Sequence, residues 1–444
     1  MSDLKKNIKE NKWICWVALA CLVVPMFASY FFDDMFSSLS ELFKNPEQLQ
    51  LGWDMSDYGF YSSGYSFLCI WGGLIVCGAL LDRFGVRLVG SIFVGMMVFG
   101  AGLVTFAISA GFAPETSLTI AYVGCMLFGL GSEIAGVSVT RSIAKWFKGR
   151  NMALAMGLQL AIARFGTATA ILIAPMIVTQ KAAGEMYMLS DTNRPAMIGL
   201  AVLGIGAILW AVFVGLDAGF DRQTGETDKV ETAEEDKFRI SDIWKVLSNP
   251  RFLMIAVLCV TFYCTVIRFK KFGVSILLPL FGVDLEIATV LLAMIPFFTI
   301  LFTPLFGALV DKVGKATLWM IVGSALVLIS HLIITFAPQG EPVYAYIAIA
   351  LLGTGYSLVP SAMWPSVPKI IPEKNLGMWA VPIYVGRIFK NTITEAGNAT
   401  QEISAAIRAE YVFIFLGIIA IATALMLYFS SKRHPELHLD KAAK

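Results

Sequence analysis

Long apolar runs alternate with short polar or turn-forming stretches along nearly the whole chain. Backbone groups in hydrocarbon must be satisfied within their own segment, so each run of roughly 20 mostly apolar residues predicts a helix that crosses a bilayer. The pattern places spans at 13–33, 57–81, 88–111, 118–145, 152–179 and 195–217. A second group lies at 251–278, 286–310, 316–337, 343–369, 376–395 and 410–431. Between them Ala218 to Asn249 contains Glu226-Thr-Asp-Lys-Val-Glu-Thr-Ala-Glu-Glu-Asp-Lys, which is too polar to span and suits a solvated linker. The expected architecture is an all-α membrane protein with twelve transmembrane helices. It divides into an N-terminal six-helix bundle (1–217), a cytoplasmic linker (218–249) and a C-terminal six-helix bundle (250–444).

Composition agrees with lipid as the solvent. Of 444 residues, 57% are hydrophobic and only 15% charged, with a mean hydropathy of +0.73. A net charge of +2, without a basic stripe, argues against nucleic acid as a partner. Cysteines 15, 21, 69, 77, 125, 259 and 264 all fall inside apolar runs, without zinc-binding spacing, and read as small core residues. No metal or other cofactor is expected. The basic stretch Met1 to Lys12 precedes an apolar run that continues through Tyr30, Phe31 and Phe32, so a retained first span is expected rather than a cleaved signal.

Lys and Arg resist translocation and mark the cytoplasmic side. With a cytoplasmic N-terminus that side collects Lys5, Lys6, Lys9, Lys12, Arg83, Arg87, Lys148, Arg150, the linker bases, Lys312, Lys315, Lys369, Lys374, Lys432 and Arg433. The opposite loops hold little beyond Lys44, Lys181, Arg194 and Arg408. Both termini are therefore expected in the cytoplasm. Short loops and termini favour a bacterial inner membrane, and the protein is expected to function as a monomer.

A duplicated loop is the most specific signal. Gly78-Ala-Leu-Leu-Asp82-Arg83-Phe-Gly85-Val-Arg87 recurs 229 residues later as Gly307-Ala-Leu-Val-Asp311-Lys312-Val-Gly314-Lys315. Both copies join the second and third spans of their half, which makes this a parallel duplication. Gly78 and Gly307 are expected to permit close helix approach, and Gly85 and Gly314 to supply a tight turn. Asp82 and Asp311 are expected to cap the next helix or pair with nearby bases. These loops resemble the signature cytoplasmic loop of the major facilitator superfamily, and the plan of twelve spans extends that likeness over the whole chain. The resemblance implies two rocking six-helix bundles around a central site, with Gly78, Asp82, Arg83, Gly85, Gly307, Asp311, Lys312 and Gly314 in the gating loops.

Ionisable residues at bilayer depth are costly and therefore candidates for function. Fifteen residues separate Glu133 from Lys148 and sixteen separate Lys148 from Arg164, so an antiparallel helix pair sets both at similar depth. They are expected either to face one cavity or to form a salt bridge joining the fourth and fifth spans. In the first case the guanidinium suits a carboxylate and the acid suits an ammonium group or a proton, so together they match a zwitterion. Gly129, Gly131, Ser132, Gly136 and Gly166 around them fit close packing or backbone room for a ligand. Tyr30, Tyr65, Tyr263 and Tyr356 can stack on or hydrogen-bond a solute, or simply pack. Arg141 reads as a gate or loop anchor, and His331 as a core residue without a partner.

The runs Gly131-Ser-Glu133, Trp146-Phe-Lys-Gly149, Gly157-Leu-Gln159-Leu-Ala-Ile-Ala-Arg164-Phe-Gly166 and Tyr356-Ser-Leu-Val-Pro-Ser-Ala-Met-Trp364-Pro365 resemble the lysosomal dipeptide-uniporter branch of that superfamily and its bacterial relatives. The likeness implies that Glu133 meets a peptide amine, Arg164 its carboxylate, and that Trp364 lines the pocket. The sequence departs from the branch in the eleventh span, where Leu376-Gly377 runs into Met378-Trp379-Ala380 and on to Arg387 and Lys390. It departs again in the seventh, where Arg268 replaces a proline, with Lys270 and Lys271 beyond. The added bases favour a more anionic substrate, or else Lys270, Lys271 and Lys390 snorkel to the outer interface.

The residues support two transport readings: carriage of a zwitterion such as a dipeptide, by uniport or proton symport with Glu133 as the proton carrier, and carriage of an organic anion such as a carboxylate or sugar phosphate. In the second, Arg164, Arg268 and Arg387 supply the attraction. An intramembrane enzyme is disfavoured, because the sequence has no H-E-x-x-H, no G-x-S-x-G and no P-loop.

Overall fold

The computed structural model describes residues 12–147, 151–178, 185–224, 250–364, 366, 399–434 and 439–440. Helices α1 (Lys12–Asp34), α2 (Met55–Leu68), α3 (Leu74–Ser109), α4 (Pro114–Trp146), α5 (Met152–Ile177) and α6 (Leu189–Thr224) come first. After them come α7 (Pro250–Tyr263), α8 (Phe269–Phe281), α9 (Leu285–Val313), α10 (Ala316–Phe336), α11 (Pro342–Met363) and α12 (Ala399–Arg433). Single π-helical turns, Cys69–Gly73 and Cys264–Arg268, join α2 to α3 and α7 to α8. A 3₁₀ helix, Ser37–Lys44, lies just after α1.

Ten helical stretches among the described residues are long and apolar enough to cross a membrane. The expected span at 57–81 is helical from Met55 up to a break at Gly85, inside what runs on as α3. The expected span at 376–395 lies outside the described residues. The final helix starts at Ala399, eleven residues before the expected boundary, which sinks Glu410 three turns into it. Helix α6 runs on to Thr224, past the expected end at 217.

The chain forms two compact units. The first takes in α1 up to Asp33, Gly64–Ala170 and the chain from Thr192 through α6. Within it α3 lies along α4, and Gly100 and Gly124 face each other so closely that a Cβ on Gly100 would fall 2.5 Å from the Gly124 carbonyl oxygen. The second unit takes in Asp34–Ser63, Ile171–Asp191 and everything from α7 onward that is described. Its α10 and α11 use the same device, a Cβ on Gly355 falling 2.6 Å from the Gly323 carbonyl oxygen. Lipid supplies no hydrophobic drive between helices, so close backbone approach and dispersion hold such pairs.

The duplicated loop has its expected turns. Gly85 (φ 81°) and Gly314 (φ 69°) both adopt positive φ, which residues with a Cβ rarely take. Asp82 pairs with Arg141, so Arg141 anchors this loop to α4. Behind it Lys145 and Arg87 meet Asp217 and Asp221, and Trp146 Nε1 donates to Asp217 at 2.8 Å, tying α3, α4 and α6. In the second copy Asp311 and Lys312 are exposed, and the cap comes from the tail instead. Asp440 accepts from the Thr317 amide at 2.9 Å and its hydroxyl at 2.8 Å, while its carbonyl accepts from the Lys315 amide at 2.9 Å. Gly78 and Gly307 do not mediate close approach: a Cβ on either meets nothing within 4 Å, because both lie on open helix faces.

Candidate functional site

Glu133, on α4, is half-buried, and its Oε1 accepts from the Tyr65 hydroxyl at 3.0 Å. The same hydroxyl lies 3.2 Å from Ser132 Oγ, which in turn hydrogen-bonds Ser29 on α1. The neighbour of Ser29, Tyr30, offers its ring to the Arg164 guanidinium of α5, 5.6 Å from the centroid. A chain of contacts through α2, α4, α1 and α5 thus runs from the acid to the guanidinium.

Glycines make this convergence possible. A Cβ on Gly129, one turn before Glu133, would fall 2.0 Å from the Tyr65 carbonyl oxygen, so α2 reaches α4 only because nothing is there. A Cβ on Gly166 would fall 2.4 Å from the Phe27 carbonyl oxygen, which seats α5 on α1 beside Arg164. Gly131 plays the same part against Met97 of α3. For Gly129, Gly131 and Gly166 the missing side chain serves close helix packing.

In the second unit Trp364 Nε1 donates to the Tyr263 hydroxyl at 2.9 Å, and Tyr263 meets Tyr356 edge-on at 6.0 Å. Both units therefore hold a half-buried tyrosine hydrogen-bonded to a second candidate residue, just before a π-helical turn. Such turns recur at functional positions in helices. Arg268 closes the second π turn and is buried. Arg387 lies outside the described residues.

The lysines after Arg268 do not snorkel. Lys270 and Lys271 are buried, their ammonium groups 2.6 and 3.1 Å from the two carboxylate oxygens of Asp34. The extra residue of the π turn rotates the downstream helix by about 100°, one residue's share of a helical turn. It turns α8 toward the 3₁₀ segment that the sequence presents only as a loop. Further ties join the same surfaces: Ser275 to Ser40 at 2.9 Å, Lys44 to Glu402 at 2.9 Å and Phe272 against Tyr58. Sequence reasoning missed Asp34 because it sits at a helix end, where an exposed acid is the ordinary case. His331 does have a partner, Glu410, at 2.7 Å, a contact spanning 79 residues that spacing could not announce.

Apolar helices long enough to cross a membrane, small-residue seams and charged groups held in the interior describe a membrane-embedded helical protein. The chain belongs to the Major Facilitator Superfamily, whose family model matches residues 22–381. It is an integral membrane transporter. It is similar to the lysosomal dipeptide transporter MFSD1 of Danio rerio, 26% identical over 443 residues that cover 94% of this chain and 87% of that one. The Homo sapiens MFSD1 is 29% identical over 360 residues, covering 79% of this chain and 72% of its own. Among solved structures, a bacterial homologue of the human lysosomal transporter Spinster, inward-facing and unoccupied, superimposes with a TM-score of 0.65 at 12% identity. That match covers 96% of this chain and 99% of that one, and it speaks to the fold alone.

Proposed function

We propose that this protein moves zwitterionic solutes of the dipeptide class across a bacterial inner membrane by alternating access. The reading takes twelve spans in two six-helix bundles, 1–217 and 250–444, joined by the linker 218–249, with both termini cytoplasmic and the monomer as the working unit. The observation that carries it is the presence in the first unit of a half-buried carboxylate hydrogen-bonded by one tyrosine and a half-buried guanidinium set over the ring of another. A peptide amine meets Glu133 and a peptide carboxylate meets Arg164 through parallel hydrogen bonds. Tyr263, Tyr356 and Trp364 are the proposed aromatic contacts, and Tyr65 holds Glu133 in place. Protons are the candidate co-substrate, with Glu133 as one carrier. The relatives named dipeptide transporters support the substrate class.

A second reading, an organic anion such as a carboxylate or sugar phosphate, draws on the buried Arg268, Lys270 and Lys271 gathered on one turn of the second unit. A thermal-shift screen of dipeptides, their N-acetylated and amidated forms, and organic anions on the purified protein decides between them, because a bound ligand stabilises the folded state. Dipeptides should raise the melting temperature and both blocked forms should not. Stabilisation by organic anions, with none by dipeptides, sinks the first reading.

A further inference from the structure

His331 of α10 and Glu410 of α12 stand apart from the candidate substrate groups. Nδ1 and Oε2 lie 2.7 Å apart, and both side chains are 0% exposed. Phe413 stacks on the imidazole at 5.3 Å and Phe269 meets it edge-on at 5.4 Å. Nε2 of the histidine and Oε1 of the glutamate have no hydrogen-bond partner among the described residues.

Stability does not account for such a pair. Two apolar side chains of similar volume would hold α10 to α12 at least as well, without the desolvation cost. An ionisable pair kept at this depth is instead a candidate for carrying charge. We propose that His331 and Glu410 form a proton-binding pair that takes up and releases one proton in each transport cycle. This rests on the alternating-access reading of the protein. A proton arriving at Nε2 turns a neutral imidazole beside a carboxylate into an imidazolium–carboxylate pair, and the net charge passes from −1 to 0. Loss of that proton reverses the step. The neutral sum suits dry surroundings and the charged sum requires water, so occlusion retains the proton and hydration lets it go.

The surroundings link the pair to the parts that tie the second unit together. Phe269, whose ring touches the imidazole, immediately precedes Lys270 and Lys271, which hold Asp34. A change in charge beneath that ring therefore bears on the turn carrying the Asp34 contacts. The other charged groups on the packed elements are Arg268, Lys270 and Lys271 on the π turn and α8, and Glu402, Arg408 and, in its last turn, Lys432 and Arg433 on α12. Lys270 and Lys271 point to Asp34, Glu402 meets Lys44, and Arg408 is exposed. Helix α11 brings no charged side chain, and its Tyr356 lies in the aromatic cluster. On α7 and the π turn the remaining titratable groups are Arg251, Cys259, Tyr263 and Cys264. On α12, Tyr411 is exposed.

The test uses the full-length protein with His331→Gln, Glu410→Gln and the double replacement of both residues by Leu, which serves as the folding control. Infrared difference spectra between low and high pH should contain imidazolium ring bands that His331→Gln removes, together with a shifted carboxylate stretch that Glu410→Gln removes. In proteoliposomes each variant should lose accumulation of dipeptide driven by a pH gradient and keep equilibrium exchange at the wild-type level. No imidazolium band assignable to His331, or gradient-driven uptake equal to wild type in either variant, overturns the proposal. A wild type that moves no dipeptide at all sinks the substrate reading alone, and the infrared band then decides the pair.

Discussion

Asp34 accepts a hydrogen bond from Lys270 at 2.6 Å across 236 residues of chain, with both side chains buried. The contact joins a residue before the central linker to one after it. With Lys271 on the other carboxylate oxygen, it fastens Asp34, the last residue of α1, to the first turn of α8. In a protein proposed to open and close, a buried charged contact of this kind holds one arrangement until something competes for it.

Removing that carboxylate should expose its worth. Asp34→Asn leaves two buried ammonium groups facing a neutral amide and is expected to cost on the order of 3–5 kcal/mol. Chemical denaturation read by tryptophan fluorescence checks this, and the loss should shrink when Lys270→Met is added. Equal melting of Asp34→Asn and wild type would show that the contact is dispensable.

Arg164→Lys keeps the charge and loses the planar fork, so it should weaken dipeptide binding roughly ten- to a hundredfold, about 1.5–3 kcal/mol. Glu133→Gln should weaken free dipeptides by a similar factor and leave N-acetylated peptides unaffected. Isothermal titration of both ligands on both variants provides the comparison, and unchanged affinities would remove these residues from the site.

Two glycine substitutions should behave oppositely. Gly129→Ala forces a methyl group to within 2.0 Å of the Tyr65 carbonyl oxygen and should cost about 1–3 kcal/mol by pushing α2 from α4. Gly78→Ala meets nothing within 4 Å and should stay within about 0.5 kcal/mol of wild type. Melting curves of the two variants side by side are sufficient.

Asp440→Ala should release the start of α10, at a cost of about 0.5–2 kcal/mol, the usual range for losing a helix cap. Hydrogen exchange at Thr317 and the residues after it should speed up while the start of α4 is unaffected. Unaltered exchange would mean that the tail contact carries no weight.

The apolar runs fixed the helices, because hydrocarbon leaves a backbone few other ways to satisfy its polar groups. The duplicated loop disclosed its own positive-φ glycines, and the matched spacing of Glu133 and Arg164 about one short turn pointed to a similar depth on their two helices. These are local relationships, written in composition and period. Contacts between distant segments were not legible. Lys270 and Lys271 look like snorkelling bases until a π turn rotates them onto Asp34, and His331 looks alone until the last helix proves eleven residues longer at its start and carries Glu410 to it. Periodicity sets which face a residue occupies on its own helix, while only packing decides which other helix, tens or hundreds of residues away, meets that face.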